Sequence, residues 1–324
     1  MTTTPNMPRV LIFSHEPDHY TAPLRARFPD LAIATCMTYA DLPEALAKFH
    51  PVAVLGCKFE RKPWPRQVIF DCPSLRWLSV TAAGIEHLTP WDDDRVMVTN
   101  FAGIAATEMA HYVLAAIFGL HQGFAHFFKQ QFHKRWDYQL VRSSRNLTIG
   151  LVGLGHTGMA IAKAARALGL KVVACRSSNT PSDAVDAVYG PDQLHAMLSA
   201  VDVTVVCTAL TPDTMDLIDE AAFAAMRPGS YFVNVARGKV VVEEALISAL
   251  QSGHLAGAVI DVARQEPLPA NDPLWDAPNL LITPHTCSDF IGWEVEAAQL
   301  FGDNLARFAA GEPLQNRAYS KRGF

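Results

Sequence analysis

No basic excess, no closely spaced cysteine pair and no long apolar run occurs in this chain, and each absence removes a class of function. Lys and Arg number 27 against 32 Asp and Glu, a formal net charge of −5. That balance offers no footprint for a phosphate backbone, so nucleic acid is not an expected partner. The six cysteines (Cys36, Cys57, Cys72, Cys175, Cys207 and Cys287) are scattered without C-x-x-C or metal-like spacing. They read as buried thiols in a reducing compartment, and no metal site is expected. The longest apolar tract, near 109–120, is interrupted by His111 and is too short to span a bilayer. The opening MTTTPNMPRVLIFSHE lacks the basic start and apolar core of a secretory signal. A cytoplasmic protein without membrane partners is expected. Internal repeats and low-complexity tracts are also missing.

What is present is enough apolar material for two cores, because 50% of the 324 residues are hydrophobic. The stretch 147–169, LTIGLVGLGHTGMAIAKAARALG, organises the rest. Its apolar start predicts a buried strand, Gly153, Gly155 and Gly158 make a G-x-G-x-x-G turn, and the residues from Met159 onward are good helix formers. The first glycine permits the tight turn, the second lets a pyrophosphate approach backbone, and the third lets helix and strand pack closely. Phosphate oxygens would meet the free N–H groups and positive dipole end of the helix. A dinucleotide site is therefore expected here.

Strand-like runs precede it at 9–14, 52–56, 75–80 and 96–100, with a helix at 41–49. This alternation predicts a parallel sheet covered on both faces. A single long helix is expected over 105–132, followed by a polar connection at 134–146. Trp136 and Tyr138 in that connection could cover a partner subunit or pack on their own domain. Six further strands are expected at 147–154, 171–175, 201–208, 231–235, 258–262 and 280–283, giving a doubly wound sheet. A helix with Leu300, Leu305 and Phe308 on one side is expected over 290–309.

The second strand of that sheet, KVVAC, runs into Arg176, Ser177 and Ser178, with no Asp or Glu at its end to bind a ribose 2′-hydroxyl. A guanidinium pairs with a 2′-phosphate through parallel hydrogen bonds, and serine hydroxyls add donors. NADP(H) is thus the expected cofactor, with NAD(H) the alternative if Arg176 is only a solvated surface residue.

Three later strand ends carry reactive groups, where ligands collect in open α/β sheets. VNVARGK places Arg237 beyond one strand, DVARQEPLP places Glu266 in the loop after the next, and ITPHTCS places His285 after the last. Brought together, these three suit reduction of a 2-oxo acid. Charge developing on the carbonyl oxygen needs an acid, and His285 suits that role. Glu266 would favour its imidazolium form and orient the ring. Arg237 could clamp the substrate carboxylate and polarise the carbonyl.

The motifs GLVGLGHTG, VNVARGKVVVEEAL, AVIDVARQEPLP, DPLW and LLITPH, in this order and spacing, resemble the D-isomer-specific 2-hydroxyacid dehydrogenases over nearly all of the chain. The resemblance implies that Arg237, Glu266 and His285 are the catalytic set. It also implies that a Rossmann cofactor domain, residues 101–285, is inserted into a flavodoxin-like substrate domain formed by 1–100 and 286–324. Helices near 105–120 and 290–309 would be the crossings. Ala83 and Gly84, in VTAAGIEHL, match the loop whose N–H groups hold the substrate carboxylate, with the loop 56–59 on the opposite wall. His156 and Thr157 match the pyrophosphate turn and Thr208 and Thr214 the segment after the fourth strand. Ala236 and Arg237, Asp261 and His285 match the cofactor's nicotinamide end. A homodimer is implied as well.

Within the family, YVLAAIFGL, the Arg–Ser end of the second strand, NDPLW and the final RGF look most like glyoxylate/hydroxypyruvate reductases, which use NADPH. His111, Thr286 and Cys287 depart from the pattern; Cys287 reads either as a redox switch or as a thiol filling space. The resemblance also admits a D-lactate, bulkier 2-oxo acid or phosphite dehydrogenase, and a dinucleotide-sensing regulator. Glu266 stands where formate dehydrogenases of this fold carry Gln, which argues against that activity.

Overall fold

The computed structural model describes residues 7–59, 62–141, 143–178 and 180–321; the first six residues and the final RGF lie outside the described residues. The chain divides into two compact units, Met1–Ile104 with Phe290–Phe324, and Ala105–Asp289.

In chain order, the first unit opens with β1 (Val10–Phe13), α1 (Asp18–Arg27), β2 (Ile33–Cys36), α2 (Leu42–Phe49) and β3 (Ala53–Gly56). It continues with α3 (Arg66–Phe70), β4 (Trp77–Val80) and β5 (Met97–Thr99). The second unit holds α4 (Ala106–His121), α5 (Phe124–Phe132), β6 (Thr148–Val152), α6 (His156–Ala167), β7 (Lys171–Cys175) and β8 (Ala187–Tyr189). It then adds α7 (Leu194–Leu198), β9 (Val203–Val206), α8 (Glu220–Ala225), β10 (Ser230–Asn234), α9 (Glu243–Gln251), β11 (Leu255–Ile260) and β12 (Leu280–Ile282). The chain closes in the first unit with α10 (Trp293–Ala310) and β13 (Arg317–Ala318).

The first sheet has the order β13-β5-β4-β3-β1-β2, parallel except for β13. Apart from that added edge, this is the flavodoxin-like arrangement. The second has the order β12-β11-β10-β9-β6-β7-β8, all parallel, a Rossmann arrangement extended by one strand. Both folds follow from the central strands. VLIF in β1, AVLG in β3 and VTVV in β9 are buried at every residue, as sheets covered on two faces require. Each fully buried Val, Leu, Ile or Phe stabilises by roughly 1.5–3 kcal/mol. In the first unit, Trp77 stacks on Phe301 of α10 with ring centroids 4.8 Å apart.

Three strands depart from the sequence expectation. β2, β8 and β13 are edge strands of two to four residues, with partly exposed residues. They lack the continuous apolar run that marks the interior strands, so the second sheet has seven strands where six were expected.

The helix expected over 105–132 is two helices. Gly123 adopts φ +67 between α4 and α5, a left-handed turn that glycine takes without Cβ strain. α4 buries Ala110, Val113, Leu114, Ile117 and His121. α5 buries none of its residues and leaves Phe124, Phe128 and Phe132 exposed. Trp136, Tyr138 and Leu140 beyond it are exposed too, so these side chains do not pack on their own unit. α10 buries the face centred on Phe301 and Leu305, with Leu300 and Phe308 packed at its margin.

All six cysteines are free, five of them buried. Among the described residues no helix is long and apolar enough to cross a membrane, and no group of His, Cys, Asp or Glu side chains could hold a metal ion.

Candidate active site

The glycine turn lies between β6 and α6. Gly153 has φ +109, and a Cβ there would come within 2.9 Å of Thr208 backbone. A Cβ on Gly158 would lie 2.5 Å from the Gly153 carbonyl oxygen. These two glycines are demanded by packing between the turn, the helix and the segment after β9. Gly155 differs: a Cβ there would meet nothing within 4 Å. No internal contact calls for glycine at that position, while open space beside the first turn of a 12-residue helix fits an approaching phosphate. His156 is exposed and Thr157 half-buried at this helix start, which carries no side-chain cap. The residues present thus fit a dinucleotide.

Arg176 follows β7 directly, half-buried, its N–H donating to Tyr189 of β8 at 3.1 Å. Among the described residues its guanidinium meets no hydrogen-bond or ion-pair partner. Ser177 is exposed and Ser178 half-buried beside it. The Thr214 hydroxyl is used within its own loop, donating to the Ala209 carbonyl at 2.7 Å and accepting from the Thr211 N–H at 2.8 Å.

Arg237, Glu266 and His285 converge at the carboxyl ends of β10, β11 and β12. Nδ1–H of His285 donates to Glu266 Oε2 at 2.7 Å, and Glu266 Oε1 accepts the Ala263 N–H at 3.0 Å. The charge of Arg237 acts on both. The hydrogen bond to Glu266 raises the His285 pKa above its ordinary value, against opposing effects of burial and Arg237. Burial alone would raise the Glu266 pKa, but His285, the Ala263 N–H and Arg237 outweigh it and hold the carboxyl below its ordinary range. An imidazolium–carboxylate pair with a cation beside it can release a proton to an oxygen that is gaining negative charge.

Several residues not singled out in the sequence build this geometry. Asn234, 1% exposed, accepts the Ala236 N–H at 3.0 Å and donates to the Arg237 carbonyl at 3.3 Å, clamping the turn that presents Arg237. A Cβ on Gly238 would sit 2.0 Å from the Ala263 carbonyl carbon. The loops carrying Arg237 and Glu266 therefore meet backbone to backbone, and only glycine fits. The Asn and Gly flanking Arg237 in VNVARGK were the available signals.

His285 is held at φ +55, a left-handed conformation that costs a non-glycine residue of order 1–3 kcal/mol unless its surroundings impose it. Asp261 imposes it. Its carbonyl accepts the His285 N–H at 2.7 Å, and its carboxylate accepts the N–H groups of Thr286 and Cys287 at 3.0 Å and the Thr283 hydroxyl at 2.5 Å. The Tyr112 hydroxyl of α4 lies 2.6 Å from Thr283 Oγ1, and burial pushes the Tyr112 phenol up to about 12. The carboxylate expected near a nicotinamide amide is thus engaged in shaping the histidine turn. Burial also pushes the Cys287 thiol up, which favours a space-filling role over a reactive one. His111 is exposed on α4, 3.6 Å from Glu108.

Ala83 and Gly84 lie in the first unit, after β4, exposed and half-buried respectively. Their N–H groups have no acceptor among the described residues, and the Ala83 carbonyl accepts from Asn100 at 2.7 Å.

Residues 114–287 match the NAD binding domain of the D-isomer specific 2-hydroxyacid dehydrogenases. The chain belongs to this family. A family member from Xanthobacter autotrophicus Py2, solved in complex with NADPH and MES, is similar at 29% identity and TM-score 0.85, covering 98% of this chain and 100% of that one. A family protein from Aeromonas salmonicida is similar at 30% identity and TM-score 0.83, over 96% and 98% of the two chains. A hydroxypyruvate reductase from Blautia hydrogenotrophica is 28% identical over 87% of this chain and 92% of its own.

Proposed function

We propose that this dehydrogenase reduces a small 2-oxo acid of the glyoxylate or hydroxypyruvate type to the D-2-hydroxy acid, with NADPH as reductant. The observation that carries the reading is the His285–Glu266 pair at 2.7 Å beside Arg237. When bound, the reduced nicotinamide supplies hydride to the carbonyl carbon. Arg237 binds the substrate carboxylate and polarises the carbonyl. His285 passes a proton to the carbonyl oxygen, and Glu266 holds the ring and stabilises its charged form until transfer. Ala83 and Gly84 offer N–H groups to the carboxylate. In this reading Ala105–Asp289 is the cofactor domain and the other unit the substrate domain.

For the cofactor, Gly153, Gly155, His156, Thr157 and Gly158 cradle the pyrophosphate, and Thr208, Thr214, Ala236 and Asp261 line the remainder. Arg176, Ser177 and Ser178 bind the 2′-phosphate. Arg176 supports NADPH because no carboxylate pairs with it among the described residues. The substrate class is supported by the Blautia hydroxypyruvate reductase. Free, mostly buried thiols fit a cytoplasmic protein. The exposed aromatic side chains of Phe128, Phe132, Trp136 and Tyr138 support a homodimer formed through α5 and the segment after it.

A steady-state panel of glyoxylate, hydroxypyruvate, pyruvate and phenylpyruvate with NADPH and NADH tests the reading. The highest kcat/KM is expected for the two smallest polar acids with NADPH. Oxidation of neither cofactor with any of the four acids overturns it.

A further inference from the structure

Three loops at the carboxyl edge of the second unit's sheet carry groups assigned above to cofactor and chemistry: 207–219 after β9 with Thr214, 235–242 after β10 with Arg237, and 261–272 after β11 with Glu266. Arg264, two residues before Glu266, ties the third loop to the other two. Its Nη1 donates to Asp216 Oδ1 in the first loop and, at 2.9 Å, to the Val241 carbonyl in the second. Its own N–H donates to Glu243 Oε1, at the start of α9, at 2.6 Å. On the other side of the same peptide the Ala263 carbonyl abuts Gly238, where a Cβ would lie 2.2 Å from the oxygen. The peptide joining Ala263 to Arg264 is therefore gripped at both its oxygen and its nitrogen. One peptide earlier, the Ala263 N–H donates to Glu266 Oε1 at 3.0 Å, and the other oxygen of that carboxylate holds Nδ1 of His285.

The first two loops are already joined by backbone, the Asp216 N–H donating to the Lys239 carbonyl at 2.9 Å and the Ile218 N–H to the Val240 carbonyl at 3.0 Å. The guanidinium adds the third. Its side chain and that of Asp216 are 34% and 45% exposed, and an ion pair this open to water contributes little to stability. What it fixes is the place of the loop that carries Glu266.

We propose that Arg264 is a positioning residue, anchored on Asp216 and Val241, that holds the loop after β11 where Glu266 meets His285. Its bearing on catalysis rests on the reaction proposed above; its hold on the Glu266–His285 pair does not. The charged groups that act on His285 are Glu266, Arg237 and Asp261, so loss of Arg264 reaches the imidazole by displacing Glu266.

NMR titration of the histidine ring protons in the full chain tests that hold, with the His285 signal identified by its loss in His285→Gln. In Arg264→Ala the His285 midpoint is expected to fall toward the ordinary imidazole value while the other histidines titrate as in the parent. Both side-chain contacts use one nitrogen, so a lysine ammonium can replace them, and Arg264→Lys is expected to keep the midpoint near that of the parent. Asp216→Asn is expected to move it in the same direction as Arg264→Ala, with Tm little changed. In steady-state reduction, kcat of Arg264→Ala is expected to fall roughly two- to tenfold, with the pH limb displaced in the same direction as the midpoint and KM for the 2-oxo acid nearly unchanged. An unmoved His285 midpoint in Arg264→Ala, or in Asp216→Asn where Arg264→Ala fails to fold, overturns the proposal. A midpoint displaced as far in Arg264→Lys as in Arg264→Ala also overturns it. A parent that oxidises no cofactor, with the midpoint still displaced in Arg264→Ala, overturns the reaction proposed above and leaves the hold of Arg264 standing.

Discussion

Glu266 Oε2 lies 2.7 Å from Nδ1 of His285, although 19 positions and a whole strand separate them. Each partner shifts the other, the imidazole toward its charged form and the carboxyl toward its ionised form. The pair is therefore charged over a wider pH range than either group would be alone.

Replacing Glu266 by Gln removes the main cause of the raised His285 pKa. Carbonyl reduction needs the imidazolium, so kcat/KM in that direction is expected to fall as pH rises through the His285 value. In Glu266→Gln this limb moves to lower pH and the plateau drops. The pair's contribution to stability has two limits. The raised histidine pKa makes its share fully present below the unfolded imidazole value and lost as pH rises through the folded one. The lowered Glu266 pKa makes its share present above the ordinary carboxyl range and lost as pH falls through the folded value. A pH–rate profile unchanged in Glu266→Gln would contradict the assignment.

Tyr112 acts at one remove, through Thr283 and the Asp261 carboxylate that shape the His285 turn. Tyr112→Phe removes one hydrogen bond worth roughly 0.5–1.5 kcal/mol. A two- to tenfold fall in kcat is expected, of the order that this energy allows, with KM for the 2-oxo acid nearly unchanged and the pH limb in place. Steady-state kinetics across pH would check it; a shifted limb would mean that Tyr112 titrates with the reaction.

Arg176→Asp places a carboxylate where a 2′-phosphate is expected. The ratio of kcat/KM for NADPH over NADH should fall by roughly tenfold or more, since a charge-assisted hydrogen bond contributes roughly 1.5–3 kcal/mol. Equal efficiency with both cofactors in the unmodified enzyme would remove the basis for the preference.

The glycines of the turn separate binding from folding. At Gly155 a methyl group meets no protein atom, so Gly155→Ala should melt at the parent temperature while KM for the cofactor rises. At Gly158 the added Cβ meets the Gly153 carbonyl at 2.5 Å, and overpacking of this kind costs about 1–3 kcal/mol or more. Gly158→Ala should therefore lower Tm. Melts and cofactor titrations side by side distinguish the two, and a destabilised Gly155→Ala would show that the space beside it is not reserved for a ligand.

Much of the fold was legible before any coordinates. VLIF, TIGLV and VTVV are interior strands in which apolar residues dominate because both faces of the sheet are covered, and that local pattern can be read from the letters. The edge strands β2, β8 and β13 were not legible, because a strand covered on fewer sides keeps polar and exposed residues. Gly123 was visible as a letter, but not its left-handed φ, which divides the expected long helix into α4, with a buried face, and α5, which buries none of its residues.

The sequence by itself determined which groups are available: a G-x-G-x-x-G turn between a strand and a helix, an arginine in place of an acidic strand end, and Arg237, Glu266 and His285 in the segments that follow three strands. Strand periodicity and glycine spacing are local, so one dimension carries them. Only the tertiary structure decided that Glu266 reaches Nδ1 of His285, that Gly238 lets two loops touch, and that Asp261 is spent on holding the histidine turn. Those relations join residues of different strands, and their distances exist only once β10, β11 and β12 lie side by side in register.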